Sequence, residues 1–481
     1  MPRQATRISL APPPCATRPS RRAARRSGRR RVVVAAATTA AAAVAVAVLS
    51  VTASGSWPGW LPWGERDGAA AVGTVPAVTG TPGAIAAATS TPTTGATSTT
   101  RSKSTACQRR AGTSPSVRVT TVEVGVRVTG YGREGDTEPL PMAIAATPSG
   151  GSWLAWLGTD GRVHLGRLNC DDRLVGKPTS FAGVDLQDVL ADRTGGVLLL
   201  TRKGFCGGGP LCGGSSSPCR TMHLIRFDTS GRQVWSRQVT NLTGSRQGYD
   251  DGARFVWWYQ HHGRLASDGT TVAAYFGTAI TVRNGSCVDI HEGDRMQVVD
   301  AGGSLVSGHR DSFAVGCSHS WTSRIVWDPR TRHYVMVCAT DNACRIARPD
   351  PYRTVVSGTC DGTLFGGDLV LARPRGYWTA WSQGGRVRLE HFTTGASDRT
   401  VSTSARSSHP HLVSYGTGRM LLAWESGSAM AARAYDSGTG RAVGGQFTIK
   451  VRDHDYQAFK AYPDGSVAYP AAGGTGTSIR I

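Results

Sequence analysis

A short apolar segment bounded by glycine-containing turns, often with a small residue before an aromatic one, recurs through the chain from residue 151 onward. Clear copies are Gly151-Ser152-Trp153-Leu154-Ala155-Trp156, Val272-Ala273-Ala274-Tyr275, Tyr377-Trp378-Thr379-Ala380-Trp381, Leu421-Leu422-Ala423-Trp424 and Ser466-Val467-Ala468-Tyr469. Val197-Leu198-Leu199-Leu200 and Tyr334-Val335-Met336-Val337-Cys338 are weaker members. The copies end at 156, 200, 275, 338, 381, 424 and 469, so successive spacings are 44, 75, 63, 43, 43 and 45. Four of these match one four-stranded sheet that must stack on its neighbours, and the two long ones match a sheet plus an insertion. Helical periodicity is scarce after Cys107, while short apolar runs between Gly, Asp and Ser turns are frequent. The fold class expected is all-β, a β-propeller of about seven four-stranded blades. The competing arrangement is an array of β-sandwiches.

A second element follows the first in three copies: Phe227 to Trp235, Val299 to Leu305 and Tyr435 to Arg441. Each carries Asp and Gly at turn positions and is expected to join two outer strands. Phe227 to Trp235 resembles one repeat of the quinoprotein type of propeller, with its Asp, Gly and Trp in place. The resemblance covers nine residues and implies the fold alone; no quinone or nucleotide cofactor is expected. Only Pro470 to Ile481 follow the last copy, too few to finish a blade, so the strand within Val117 to Val128 is expected to close the ring and remove its open edges.

The formal charge is +21, but residues 1–31 hold ten arginines and no acid, leaving +11 for the remainder. That excess suits an anionic surface better than sequence-specific nucleic acid, and equally a solvated basic surface with no partner. The basic tail runs into residues 32–53, which are uncharged and long enough to cross a bilayer as a helix. Arginine on one flank predicts a cytoplasmic N-terminus and an extracytoplasmic C-terminal part. Trp57, Trp60 and Trp63 suit the outer interface. Val51-Thr52-Ala53 before Ser54 is also an acceptable cleavage site for a secreted product. Residues 54–106 combine this segment with an Ala/Thr/Ser/Pro-rich stretch expected to form a linker, and 107–481 the extracytoplasmic propeller.

Cys107, Cys170, Cys206, Cys212, Cys219, Cys287, Cys317, Cys338, Cys344 and Cys360 are an even set in an exported domain, hence disulfide candidates. Cys338 and Cys344 are close enough in sequence to staple a hairpin, and Cys287 with Cys317 would tie down the second insertion. No C-x-x-C pair supports zinc, and no metal is expected.

The chain lacks G-x-S-x-G, H-E-x-x-H and G-x-x-x-x-G-K, and no G-x-G-x-x-G follows a strand. Candidate ligand contacts fall in the insertions. Asp250 and Asp251 precede Trp257, Trp258, Tyr259 and His261, a set suited to stacking on sugar rings and fixing hydroxyls, or to an ordinary half-buried strand. His291, Asp294, Arg295, His319 and Arg324 form a dense polar group that would line the channel, with His291, Asp294 and His319 as metal ligands or an acid/base set, or make a buried network. The expectation is a binding protein for cell-envelope or extracellular carbohydrate. A hydrolase or lyase acting on polysaccharide or phosphoester, and a scaffold for an envelope protein, are the rivals.

Overall fold

The computed structural model describes residues 107, 115–128, 142–203, 219–240, 252–257, 263–284, 287–306, 312–313, 317, 322–340, 343–407, 409–452, 457–473 and 476–481. The tail, the apolar segment and the linker lie outside them. All described residues belong to the compact unit Ser102–Ile481.

The antiparallel strands form seven blades, with blades 2 and 3 joined in one nine-stranded sheet. Blade 1 is Met142–Ala146, Ser152–Leu157, Arg162–Leu168 and Leu174–Ala182. Blade 2 is Asp188–Ala191, Val197–Lys203, Cys219–Phe227 and Gln233–Gln238. Blade 3 is Arg264–Ser267, Thr271–Asn284 and Cys287–Asp300, with an outer bridge from Val299 to Leu305. Blade 4 is Thr322–Asp328, His333–Thr340, Arg345–Pro349 and Tyr352–Ser357. Blade 5 is Phe365–Leu371, Tyr377–Gln383, Arg386–Phe392 and Arg399–Arg406. Blade 6 is His411–Tyr415, Arg419–Ser426, Ala429–Asp436 and Ala442–Ile449.

Blade 7 begins with Lys460–Ala461, Val467–Ala468 and Ala471–Ala472, then Ser478–Arg480. Its outermost strand is Thr121–Glu123, paired to Ser478–Arg480 with Val122 opposite Ile479. The N-terminal strand therefore closes the ring, as expected. The innermost strands follow one another around a closed circle, Lys460–Ala461 returning to Met142–Ala146.

The repeated segment is the second strand of every blade, and its pattern has a packing cause. A second strand is covered on both faces by neighbouring blades, so it reads as a continuous apolar run. In blade 1, Trp153, Ala155 and Leu157 pack on Leu199 and Ile225 of blade 2, while Leu154 and Trp156 pack on Tyr462 and Ile479 of blade 7. Seven such apolar clusters fill the seven junctions. Outer strands are half solvated, and Arg399–Arg406 accordingly alternates.

The Asp/Gly turns join third to fourth strands. Asp228 Oδ1 accepts the amides of Ser230 and Arg232, both at 3.0 Å, and Gly231 has φ of 83°. Tryptophans of blades 1, 2 and 5 bond to turns of the next blade. Trp153 Nε1 donates to Gly195 O, Trp235 Nε1 to Ala301 O and Trp378 Nε1 to Ser437 O, at 2.9, 3.1 and 2.8 Å.

Two disulfide expectations are corrected. Cys317 bonds to Cys338, and Cys344 to Cys360. The blade 4 register sets Ala347 across from Cys338, so Cys344 lies at the turn, beyond reach of a bond across the hairpin. Cys317 is already taken by Cys338, which excludes a bond to Cys287. Cys107 pairs with Cys170. Cys206 and Cys212 lie outside the described residues, and only the backbone of Cys219 and Cys287 is described.

Candidate functional site: the insertion-bearing mouth of the channel

Each first strand begins, and each second strand ends, at one end of the ring. The long connections leave from this same end: after Lys203, after Thr240, beyond the extended hairpin of Thr271–Asn284 and Cys287–Asp300, and after Val306. One inserted strand is described. Gly252–Trp257 pairs with Thr281 and Ile280 on one side and with Arg220 and Cys219 on the other, joining blades 2 and 3.

Beneath these connections the first strands open with Asp188, Arg264, His411 and Lys460 in blades 2, 3, 6 and 7, carry Arg324 and Asp368 at their third and fourth residues in blades 4 and 5, and open with Met142 in blade 1. In a closed ring, equivalent positions on seven first strands converge on the axis, so these charges meet although they are far apart in sequence. Lys460 Nζ is 2.6 Å from Asp188 Oδ1, an ion pair that spans blade 1. Asp188 Oδ2 also accepts the Leu265 amide at 2.9 Å. Arg324 Nε is 2.9 Å from Asp368 Oδ1, and His411 Nδ1 is 3.8 Å from Asp368 Oδ2. Burial opposes ionisation of Asp368, but the His411 hydrogen bond and the Arg324 and Arg264 charges outweigh it and hold the carboxyl well below the usual range. Next to the ring, Asp185 receives Arg202 Nε at 2.7 Å and Gln187 Nε2 at 2.6 Å.

The ring is a floor, not an open cup: Asp188, Arg324 and His411 are 1%, 3% and 2% exposed. Its chemistry is that of paired buried charge, which cross-links first strands.

The sequence-predicted residues divide as follows. Arg324 belongs to the ring. Asp294 is fully buried and accepts Ser323 Oγ at 2.9 Å. The Tyr275 hydroxyl is pushed well above its usual pKa by burial and by the Asp294 charge. Arg295 is buried and donates to Gln297 Oε1 at 2.7 Å; burial lowers its pKa to about 10. Asp294 and Arg295 alternate along one strand, so their side chains point toward different blade junctions. His291 lies on that strand opposite Ile280, and Trp257 lies opposite Cys219, with backbone alone described. Asp250, Asp251, Trp258, Tyr259, His261 and His319 lie outside the described residues. Among the described residues, Asp294, Cys317 and Cys338 bring donor atoms within 4.8 Å of one another, but the sulfurs are bonded to each other and offer no thiolate.

Sequence reading missed Asp188, Arg264, Asp368, His411 and Lys460. Their signal is positional. A polar residue stands before the apolar part of the first strand in blades 2 to 7, nine to fourteen residues before the end of the repeated segment.

No family model matches the sequence, and no curated protein is similar to it. Solved structures similar to the chain include virginiamycin B lyase from Staphylococcus aureus, with 10% identity over 76% of this chain and 98% of that one, TM-score 0.40. The Dos1 propeller matches at 11% identity over 72% and 82% of the two chains, TM-score 0.37. A protein of unknown function from Dyadobacter fermentans DSM 18053 matches at 11% identity over 75% and 98%, TM-score 0.40. Likeness at this level carries no argument about activity, and the propeller assignment stands on the ring of strands itself.

Proposed function

We propose that this chain is an extracytoplasmic binding protein, membrane-anchored or secreted, that recognises cell-envelope or extracellular carbohydrate at the insertion-bearing mouth of its propeller. The observation that carries the reading is the convergence of the long connections and the extended hairpin on one end of the ring, above a rigid polar floor. Loops on a rigid scaffold are where binding groups concentrate. Saccharide recognition combines stacking rings with fixed polar groups, and the inserted segment supplies Trp257, Trp258 and Tyr259 beside Asp250, Asp251 and His261. Disulfides at Cys107–Cys170, Cys317–Cys338 and Cys344–Cys360 support a location outside the cytoplasm.

The test is glycan-array binding followed by titration of the best saccharide. Replacing Trp257 and Trp258 by Ala is expected to lower affinity on the order of tenfold or more, with the melting temperature unchanged. Unchanged binding by the double variant would overturn the reading.

A further inference from the structure

The opposite end of the ring carries the turns between first and second and between third and fourth strands, and three observations there point to one partner. The first is where the chain enters. Thr120 donates its amide to Ile481 O at 2.9 Å, so the N-terminal strand is entered from this end. Cys107 is bonded to Cys170 in a blade 1 turn of the same end, and Arg118 is paired with Asp172 beside it. Whatever precedes Cys107 therefore departs from the turn-bearing face.

The second is charge. With the strand residues that flank them included, these turns on blades 4 to 6 hold Arg330, Arg332, Arg373, Arg375, Arg399, Arg419 and Arg441 against Asp328, Asp350, Asp398 and Asp436. On blades 1 to 3 they hold Arg173, Arg193 and Arg232 against Asp171, Asp172, Asp192, Asp228, Asp268 and Asp300. The blade 4 to 6 part of the face is net +3 and the blade 1 to 3 part net −3. Part of the difference arises at the first turn of blade 5, Arg373-Pro374-Arg375-Gly376, which brings two arginines and no aspartate. Arg330 is consumed internally, donating to Asp328 and to the carbonyls of Ala372, Pro374 and Gly376. Arg332, Arg373, Arg375 and Arg441 are exposed, with no carboxylate partner among the described residues.

The third is shape. An open groove of about 790 Å³ runs between the turns of blades 5 and 6, lined by Arg330, Arg373 and Arg419 with one carboxylate, Asp436, and by Ser437 and Gly438. It is wide enough to seat a phosphate-bearing headgroup.

We propose that the basic half of the turn-bearing face docks on an anionic phospholipid bilayer, which turns the insertion-bearing mouth away from the membrane. The biological setting rests on residues 32–53 being a membrane anchor. A coil-like linker of about 50 residues spans on the order of 40 Å, so a tether by itself would not orient the domain. An arginine near an anionic surface contributes roughly fivefold in partitioning, and three of them on the order of a hundredfold.

The test is co-sedimentation of residues 102–481, the compact unit that contains every strand of the ring, with vesicles. One set is pure phosphatidylcholine and the other contains about a third phosphatidylglycerol. Binding is expected only to the anionic vesicles, with loss at high salt. The variant Arg332→Glu, Arg373→Glu, Arg375→Glu should lose binding on the order of a hundredfold. The matched variant Arg173→Glu, Arg193→Glu, Arg232→Glu should retain it, and equal melting temperatures establish that both are folded. Equal binding to both vesicle types, or equal loss in both variants, overturns the proposal. So does capture by a soluble polyanion such as polyphosphate without vesicle binding. Glycan-array results are independent of all these outcomes, so either reading can fail alone.

Discussion

Asp368 carries more of this structure than its single position suggests. It faces Arg324 and His411 from two neighbouring blades and accepts the Leu412 amide at 3.2 Å. Replacing it with Asn keeps the size but leaves a buried guanidinium without its carboxylate, a change that costs about 3–5 kcal/mol. Denaturant unfolding of Asp368→Asn should show that loss, and its absence would mean the ring charges are solvated. His223 gives the molecule a pH dependence. Burial, then the charge of Lys203, lowers its pKa from 6.5 to about 4. The unfolded chain therefore takes up a proton that the folded one refuses, and stability falls as pH drops from 6.5 to about 4. With the side chain only partly buried, the effect is discounted to about 1–2 kcal/mol. His223→Gln should flatten that part of the stability profile. None of this was legible beforehand: His223 follows Thr221 and Met222 in an ordinary strand, and Asp368 looks like any turn aspartate between two glycines and a leucine.

At the scale of the element, the turns are read by the blade beside them. Gly440 has φ of 71°, and a Cβ there would meet Trp378 Cη2 at 2.5 Å. Backbone strain and the collision act together, so Gly440→Ala is expected to cost about 1–3 kcal/mol by thermal unfolding. Gly444 has a similar φ of 73° with nothing within 4 Å, so Gly444→Ala isolates the backbone part. A melting temperature lowered equally by both changes would rule out the role given to Trp378. The Asp/Gly turns and the apolar second strands were legible because their causes are local: a carboxylate caps its own turn, and a strand covered on both faces has no place for polar residues. The disulfides were not, because a spacing such as Cys338 to Cys344 suits a bond that the ladder register then forbids.

The described residues form a closed ring held by seven junctions and one closing strand. Val122 is 3% exposed and packs with Ile144, Leu154 and Ile479 across the junction of blades 7 and 1. Val122→Asp should therefore release the N-terminal strand, and hydrogen exchange should rise first in Ser478–Arg480 and its neighbours in blade 7. Uniform exchange across all blades would indicate that the ring does not depend on this closure.

The sequence by itself determined the all-β class, the blade count, the second-strand repeat and the source of the closing strand. Each of these is written in spacing and in local burial demands that recur every blade. Only the tertiary structure decided the ring of Asp188, Arg264, Arg324, Asp368, His411 and Lys460, the cysteine partners, and the division of the turn-bearing face into acidic and basic halves. These depend on which blades become neighbours when the chain closes on itself, and closure brings together residues that share no local pattern.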